Sequence, residues 1–243
     1  MTSMLGDHAP ARRRLGVPWQ LNLLGAWQLT GAEQPVDVGR NGQRLFALLA
    51  VRGPCDRSYV AGTLWSECSE PRARANLRAT LSRLHRRCRA DLLRSAGGVL
   101  SMRPEVEVDL GRLLATAAAV LDHGPGPPGR AALPVLTGPE LLPGWYEDWI
   151  LAERERVRQI RLHALETLSA RLLADGDPTA AVDAAQASVT VEPLRESAHR
   201  AVIRAHLAVG NRPEALRHLD HLRWLLRVEL GVEPSGLTTA LLR

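Results

Sequence analysis

The sequence predicts a mainly α-helical protein of two domains, in which a domain of strands and helices is followed by an all-helical domain. Residues 19–38 contain short runs that alternate apolar and polar side chains, which is typical of strands. From residue 145 onward the pattern is helical, with only short breaks. Charge also divides the chain: residues 1–103 hold 16 arginines and 7 acidic residues, whereas the remainder holds 15 arginines and 19 acidic residues. A basic first half and an acidic second half indicate domains with different partners.

The composition is typical of globular proteins, with 45% hydrophobic and 23% charged residues over 243 positions, which is long enough for two cores. All 31 basic residues are arginine, whose planar guanidinium suits bidentate contacts to phosphate and guanine. Cys55, Cys68 and Cys88 lack the close pairing of zinc ligands, so we expect reduced thiols without a disulfide framework. Because there is no long apolar run, we expect a cytoplasmic chain with no membrane partner.

The first domain is expected to follow a flexible tail at residues 1–18 and to occupy residues 19–106. Its strands are predicted at 19–29, with a bend at Gly25, and at 36–38; its helices at 39–51, after Asp56 or Ser58, and at 71–90; and its hairpin at 92–102. This order is that of a winged helix-turn-helix, in which the third helix enters the DNA major groove and the hairpin is the wing.

The predicted helix at 71–90 has two distinct faces on a helical wheel. One is an apolar stripe of Leu77, Leu81, Leu84 and Cys88, and the opposite face carries only arginine and alanine. No acidic residue occurs in this segment, although solvated helices usually mix charge signs. The pattern favours contact with nucleic acid. It leaves open a solvated face and a helix that lies on anionic lipid.

On this helix we expect Arg83 and Arg86 to contact bases or phosphates, because they lie opposite the leucine stripe. Asn76 and Thr80 are the expected base readers. Phosphate contacts are expected from Arg72, Arg78 and Arg87 on the same helix and from Arg44, Arg57 and Arg94 on neighbouring elements.

The second domain is expected at residues 109–243 and shows an internal period. Gly176 and Gly210 are 34 positions apart, as are Ala181 and Ala215. This is the tetratricopeptide period, with glycine at the turn inside a helix pair and alanine where the two helices meet. Helices are predicted at 109–122, 149–174, 179–191, 197–209 and 213–230, with a Gly- and Pro-rich connector at 124–129 and a degenerate third pair from 113–120 and 131–136. Such repeats present a groove to another protein.

Residues that could carry catalysis occur without the partners that catalysis requires. Glu147 and Asp148 are adjacent, so their side chains point apart on a helix. His218 and His221 have a spacing that metal ligands use, but no further ligand completes a tetrahedral set. We therefore predict no enzyme activity, no cofactor and no metal. The neighbouring aromatic residues are expected to anchor the first long helix in the core, with a recognition surface as the alternative: Trp145, Tyr146 and Trp149.

Four segments of the first domain carry a resemblance to a known family: Leu21-Asn22-Leu23-Leu24-Gly25, the helix at 39–51, Leu64-Trp65 and Asn76-Leu77-x-x-x-Leu81-Ser82-Arg83-Leu84. In this order they resemble the DNA-binding domain of OmpR-class response regulators, and most of all its version in Streptomyces antibiotic regulatory proteins, the SARP family. The sequence departs from that pattern at the wing tip, where Gly97-Gly98-Val99 stands in place of a Gly-Tyr pair.

The second domain resembles the bacterial transcriptional activator domain. The resemblance rests on Leu141-Leu142-Pro143-Gly144-Trp145-Tyr146-Glu147-Asp148-Trp149, Glu153-Arg154-Glu155-Arg156, Pro193-Leu194-Arg195-Glu196 and Glu229-Leu230-Gly231-Val232-Glu233-Pro234. A winged helix followed by this domain is the SARP architecture.

The resemblance implies a transcriptional activator that binds direct repeats in double-stranded promoter DNA as a homodimer. It implies recruitment of RNA polymerase holoenzyme through a sigma factor, control of an antibiotic gene cluster and association with the nucleoid when bound to DNA. It also implies the short form of the family, without an ATPase module. Two alternatives remain: a protein-docking adaptor with the same fold and no specific DNA binding, and a regulator that senses a small molecule in the repeat groove.

Overall fold

A computed structural model describes residues 19–88, 91–122 and 129–242 of the chain. The predicted tail at 1–18, residues 89–90 of the predicted basic helix and residues 124–128 of the predicted connector lie outside this part. Within it the predicted fold class is confirmed, because a small β region precedes a helical domain. Two compact units are present. One contains the described residues up to Leu21 together with Gln28–Glu107, and the other contains Asn22–Trp27 and the described residues from Val108 onward.

The described chain begins with the predicted order of strands, helices and hairpin. The elements are β1 (Trp19–Asn22), β2 (Gln28–Gly31), β3 (Gln34–Pro35), α1 (Gly39–Arg52), β4 (Cys55–Asp56), α2 (Arg57–Leu64), α3 (Glu70–Cys88), β5 (Leu93–Ala96), β6 (Val99–Met102) and β7 (Val106–Val108). Among the described residues the strands form sheets in the orders β3-β2-β1-β7 and β4-β6-β5. β5 and β6 pair antiparallel around Gly97 and Gly98, which gives the wing of a winged helix-turn-helix.

The short strands differ in part from the prediction. Residues 36–38 are irregular, because the chain turns earlier than expected: β2 extends to Gly31, and Ala32 and Glu33 form the turn with φ of 51° and 61°. The prediction of a strand at 36–38 is therefore wrong, and β2 pairs with β3 instead. β4 and β7 have no counterpart in the prediction, since elements of two or three residues are too short to show an alternating pattern.

α1 packs directly against α3 in the first unit. The apolar face predicted for α1 is buried, with all four residues at most 2% exposed: Leu45, Phe46, Leu48 and Leu49. At Gly42 of α1 the two helices approach so closely that an added Cβ would lie 2.8 Å from Leu84 Cδ2. Any side chain at position 42 would therefore push against α3. This close packing, together with the packing of α2 against α3, sets the orientation of α3 and with it the direction of its outer face.

The second unit is built from helices whose bounds agree with the predicted long helices to within one residue. They are α4 (Asp109–Leu121), α5 (Leu133–Leu136), α6 (Asp148–Ala174), α7 (Pro178–Val191), α8 (Glu196–Ala208), α9 (Arg212–Leu230) and α10 (Gly236–Thr239), with 3-10 turns at Arg130–Ala132 and Ala240–Leu242. The core of this unit lies where α6 and α7 pack together and against α4 and α8.

The period of 34 residues corresponds to a repeated local geometry. Gly176 ends the turn between α6 and α7, and Gly210 ends the turn between α8 and α9, with φ of 79° and 80°. These left-handed conformations favour glycine. Ala181 and Ala215, at equivalent positions in α7 and α9, are both completely buried. The period therefore marks two similar helix pairs, and their assignment to the tetratricopeptide class stays a prediction.

Two histidines link α8 to α9. His199 Nε2 lies 2.7 Å from the backbone oxygen of Pro193, and because a carbonyl only accepts, Nε2 must donate. His199 Nδ1 is then the acceptor for a hydrogen bond of 2.9 Å from His218 Nε2. Burial lowers the pKa of both rings, and that of His218 falls to about 4 through the further influence of the neighbouring histidines. Both rings are therefore neutral at pH 7.

Because of this pair, we expect the free energy of unfolding to decrease as the pH falls from 6.5 to about 4. In that window the unfolded chain binds a proton at His218 that the folded chain does not, so the free energy of unfolding falls with pH. Allowing for the partial exposure of His218, the loss is on the order of 1 kcal/mol near pH ~5. Urea unfolding at neutral and mildly acidic pH measures it. His218→Gln keeps an N–H donor and should reduce the pH dependence, whereas parallel pH profiles of the two proteins would contradict the assignment.

Candidate nucleic-acid interface

α3 buries one stripe of side chains and exposes the rest of its surface. The buried residues are each at most 7% exposed: Ala73, Leu77, Thr80, Leu84 and Cys88. Their spacing of three or four positions is that of a single helix face. The stripe differs from the predicted one because Thr80 lies within it, whereas Leu81 at its edge is only half-buried.

The face of α3 opposite this stripe is cationic. The exposed arginines on this face and its flanks are Arg72, Arg74, Arg78, Arg83, Arg86 and Arg87. Ala75 and Ala79 are exposed between them, and the acidic residue of the helix, Glu70, lies in its first turn. Arginines around two small side chains form a surface that fits closely against a polyanion, because the alanines let the helix approach and the guanidiniums reach outward.

The predicted base readers are less accessible than the arginines. Thr80 is 2% exposed, and its hydroxyl accepts a hydrogen bond of 3.3 Å from Arg83 Nη2. The expectation that Thr80 contacts a base is therefore corrected, because a buried side chain cannot reach a base edge; Thr80 instead holds Arg83 from beneath. Asn76 is half-buried on the flank of the helix, and its role as a base reader stays a prediction.

The arginines near the end of α3 have weak partners in the protein. Arg86 Nη1 donates to Ser82 Oγ at 3.2 Å, one turn back on the same helix. Arg87 Nη1 lies 3.4 Å from both the backbone oxygen and the carboxylate of Asp37, which precedes α1. Both side chains of the Arg87–Asp37 pair are more than half exposed, so the pair contributes little to stability. Arg87 can therefore exchange Asp37 for a phosphate at small cost.

A pocket of about 380 Å³ opens between α3, the start of α2 and the wing tip. Its lining includes Arg57, Arg74 and Arg78, with Asp56 as the acidic member. Arg57 is tied to the wing, because its backbone N–H donates to Gly98 O at 2.9 Å and its Nη1 donates to Ser95 Oγ at 3.1 Å. The structure thus brings together two of the predicted phosphate-contacting residues, Arg57 and Arg78, at one point. Three guanidiniums against one carboxylate make this pocket a favourable place for an anion.

Sequence reasoning missed Arg74. This residue pairs with Glu70 one turn earlier, at 2.5 Å, and both side chains are more than half exposed. Arg74 and Arg78 are four positions apart and share one side of the helix, which was the signal available in the sequence.

The two remaining predicted contacts differ in accessibility. Arg94 is exposed on β5 of the wing, where a guanidinium can reach a phosphate. Arg44 is half-buried in α1, so it has less freedom to move toward a ligand. Their contacts to DNA stay predictions, and the wing residue is the better placed of the two.

The aromatic cluster divides between core and surface. Trp145 is buried and Trp149 is half-buried, but Tyr146 is 78% exposed, so the expectation that it belongs to the core is wrong. Among the described residues, no group of three or more histidines, cysteines and carboxylates is arranged to hold a metal ion. Within the same part of the chain, none of the helices is long and apolar enough to cross a membrane.

Comparison with known proteins gives three findings. Residues 128–243 match the model of the bacterial transcriptional activator domain. The chain is 31% identical over 254 residues to Regulatory protein AfsR of Streptomyces coelicolor, a match that covers 94% of this chain and 25% of AfsR, so the chain spans about a quarter of that relative. The fold is similar to that of Mycobacterium tuberculosis EmbR in complex with a low affinity phosphopeptide, with a TM-score of 0.73 and 20% identity over 93% of this chain and 64% of the EmbR chain.

A winged helix-turn-helix with an arginine-rich outer face, followed by a bacterial transcriptional activator domain, defines a class of protein: the transcriptional regulators, which are not a class of enzyme. The findings go one step further than this class. The match to the activator domain and the identity to AfsR support membership of the SARP family, so the family resemblance drawn from the sequence is confirmed, and the likeness to EmbR supports the fold.

Proposed function

We propose that the chain is a sequence-specific activator that binds direct repeats in promoter DNA as a pair of protomers. In this proposal it recruits RNA polymerase through a sigma factor and controls genes for an antibiotic or another secondary metabolite. α3 enters the major groove, where Arg83 and Arg86 contact base edges with Asn76 beside them. Phosphates are contacted by Arg72, Arg78 and Arg87 of α3, by Arg57 and Arg94, by Arg44 in a smaller role, and by Arg74.

The outer face of α3 is the observation that carries the proposal. Its arginines are exposed over several turns, while the buried stripe holds the helix in place from below. A solvated helix of this length would gain from acidic neighbours at three and four positions, yet Glu70 is the only one on α3. Uncompensated charge on a rigid helix favours a polyanionic partner.

The position of Arg57 supports a contribution from the wing. Its two hydrogen bonds to β5 and the wing turn connect the start of α2 with the hairpin. Together with Arg74 and Arg78, it forms a cationic pocket beside α3 that is large enough for one backbone phosphate. The wing and α3 would then contact adjacent phosphates and fix the register of the protein on the duplex.

The salt dependence of DNA binding tests this function. A protein that neutralises phosphates releases counterions, so log K should fall against log salt with a slope of about −0.9 for each phosphate. Arg57, Arg74 and Arg78 share one phosphate, so the proposed contacts amount to about four phosphates, or about five with Arg44, and predict a slope of about −3.6 to −4.5 for each protomer. Fluorescence anisotropy with a genomic fragment selected by the full chain measures this slope. A slope near zero, or equal affinity for every fragment, would favour the protein-docking adaptor instead.

Exposed apolar side chains on α9 support a protein contact by the second unit. Leu216, Trp224 and Val228 are 43%, 59% and 58% exposed, and their spacing of eight and four positions puts them on one face. Apolar side chains grouped on a surface are typical of sites where proteins meet. This face is the part of the second unit that we propose for the polymerase, and it also fits the adaptor alternative.

Replacing Trp224 with alanine is expected to separate activation from DNA binding. Because a central tryptophan often dominates an interface, transcription from the target promoter should fall roughly tenfold, while DNA affinity stays within about twofold. Run-off transcription and anisotropy measure the two quantities. Leu237→Ala removes another exposed apolar side chain, on α10, and is the matched control. Equal transcription by the two variants would remove α9 from the proposed contact.

A further inference from the structure

A second pocket, of about 320 Å³, lies in the first unit between the later turns of α3 and the wing hairpin. Its apolar walls include Leu81, Leu84 and Cys88 of α3, Leu92 and Leu100 at the hairpin, and Phe46 of α1. Most of these side chains are at most 7% exposed, so the pocket is a partly open recess at the edge of the apolar core of the unit. Its volume is within the range of sites for small organic molecules.

The pocket accounts for the partial exposure of Leu81. It belongs to the leucine stripe of the sequence, yet it stays half-buried while its neighbours Leu77 and Leu84 are covered. A ligand with an apolar body that occupies the recess would complete the burial of Leu81.

The polar part of the lining is cationic. His85 Nδ1 and Asp91 Oδ1 lie 2.9 Å apart, so the acidic member of the lining already has a partner. Arg57 uses one N–H on Ser95, which leaves other donors of its guanidinium available. Arg94 is exposed, and its side chain makes no hydrogen bond or ion pair with the other described residues. Two guanidiniums beside an apolar cavity suit a carboxylate on an apolar body.

We propose that this pocket binds a small amphipathic anion, whose apolar body packs against the half-buried Leu81 and Leu93 and whose carboxylate pairs with Arg57 and Arg94. The ligand is an addition to the function proposed above. Its consequence for DNA rests on that function: both arginines are also proposed phosphate contacts, so the anion and the DNA backbone compete for them.

Calorimetric titration of the full chain without DNA tests the pocket, with 2-naphthoate as the probe and the neutral 2-naphthalenemethanol as its matched control. We expect saturable binding of 2-naphthoate and at least about tenfold weaker binding of the alcohol, which lacks the charge-assisted hydrogen bonds. Arg94→Gln should weaken 2-naphthoate by about tenfold for the same reason. Leu81→Trp should fill the cavity and abolish binding.

Circular dichroism and thermal unfolding show whether the Leu81 variant folds. If it does not, Leu93→Trp fills the same pocket from the wing side. No saturable binding at millimolar 2-naphthoate, equal binding of the alcohol, or unchanged binding by a folded cavity-filling variant would each overturn the proposal.

A separate anisotropy titration tests the competition. Saturating 2-naphthoate is expected to lower DNA affinity severalfold, and an unchanged affinity would overturn the competition. Failure of the chain to bind DNA without 2-naphthoate would overturn the proposed function and not the pocket, because the calorimetric result is obtained without DNA.

Discussion

Replacing Arg83 with alanine is expected to weaken the binding of the full chain to its selected DNA by roughly 10- to 100-fold. The Arg83 guanidinium is exposed on the outer face of α3 and is held by Thr80 beneath it. A bidentate contact to a base is worth about 1–3 kcal/mol of discrimination, and alanine removes it completely. Affinity for unrelated DNA should fall less, so the ratio of specific to non-specific binding should fall as well. Anisotropy titrations with both kinds of DNA measure the change.

A matched control separates this contact from the loss of one positive charge. Arg204→Ala removes an exposed arginine from α8 in the second unit and should leave DNA affinity within about twofold. Arg83→Lys keeps the charge but loses the planar fork, so it should recover non-specific binding and not specificity. Equal affinity of the Arg83→Ala and Arg204→Ala proteins for selected DNA would refute the role assigned to Arg83.

The second large effect is expected at Asp109, the first residue of α4. Its carboxylate accepts hydrogen bonds from the backbone N–H groups of Leu23, at 2.9 and 3.0 Å, Leu24, at 2.9 Å, and Leu110, at 2.7 Å. Leu23 and Leu110 are at most 1% exposed, so water cannot replace the lost acceptor easily. Because unsatisfied buried donors cost about 1–3 kcal/mol each, Asp109→Ala should reduce the free energy of unfolding by roughly 2–4 kcal/mol.

Amide hydrogen exchange localises this effect. The amides of Leu23 and Leu24 should exchange much faster in Asp109→Ala, and the unfolding midpoint in urea should fall. Asp183→Ala removes an exposed carboxylate from α7 and should change stability by no more than about 0.5 kcal/mol. If the two variants are equally stable, the bonds of Asp109 contribute nothing beyond those that water provides.

The fold could be predicted wherever periodicity extends over several turns. The bounds of α6 to α9, the wing around Gly97 and the 34-residue repeat all follow from patterns that are local in sequence. Contacts between distant segments could not be predicted in this way. Asp109 bonds to Leu23 and Leu24 across more than 80 positions, and nothing in the residues around Asp109 indicates that partner.

The sequence predicted the exposed arginines of the candidate site but not the packing of the residues around them. Charge on a helix face is visible in the sequence, and the arginines of α3 are exposed as expected. Which of Thr80 and Leu81 is buried is not visible, because they lie at opposite edges of the apolar stripe and only the packing of α3 against α1 and α2 decides between them. The link from Arg57 to Ser95 likewise depends on how the hairpin folds back, which tertiary structure alone determines.

Footprinting of the full chain on the genomic fragment it selects tests most directly whether α3 reads a specific DNA sequence. We expect two protected tracts that carry the same sequence in the same orientation, with centres separated by whole turns of about 10 base pairs. The Arg83→Ala protein should lose both tracts at the concentration at which the Arg204→Ala protein retains them. Uniform protection, or tracts that survive Arg83→Ala unchanged, would contradict the account.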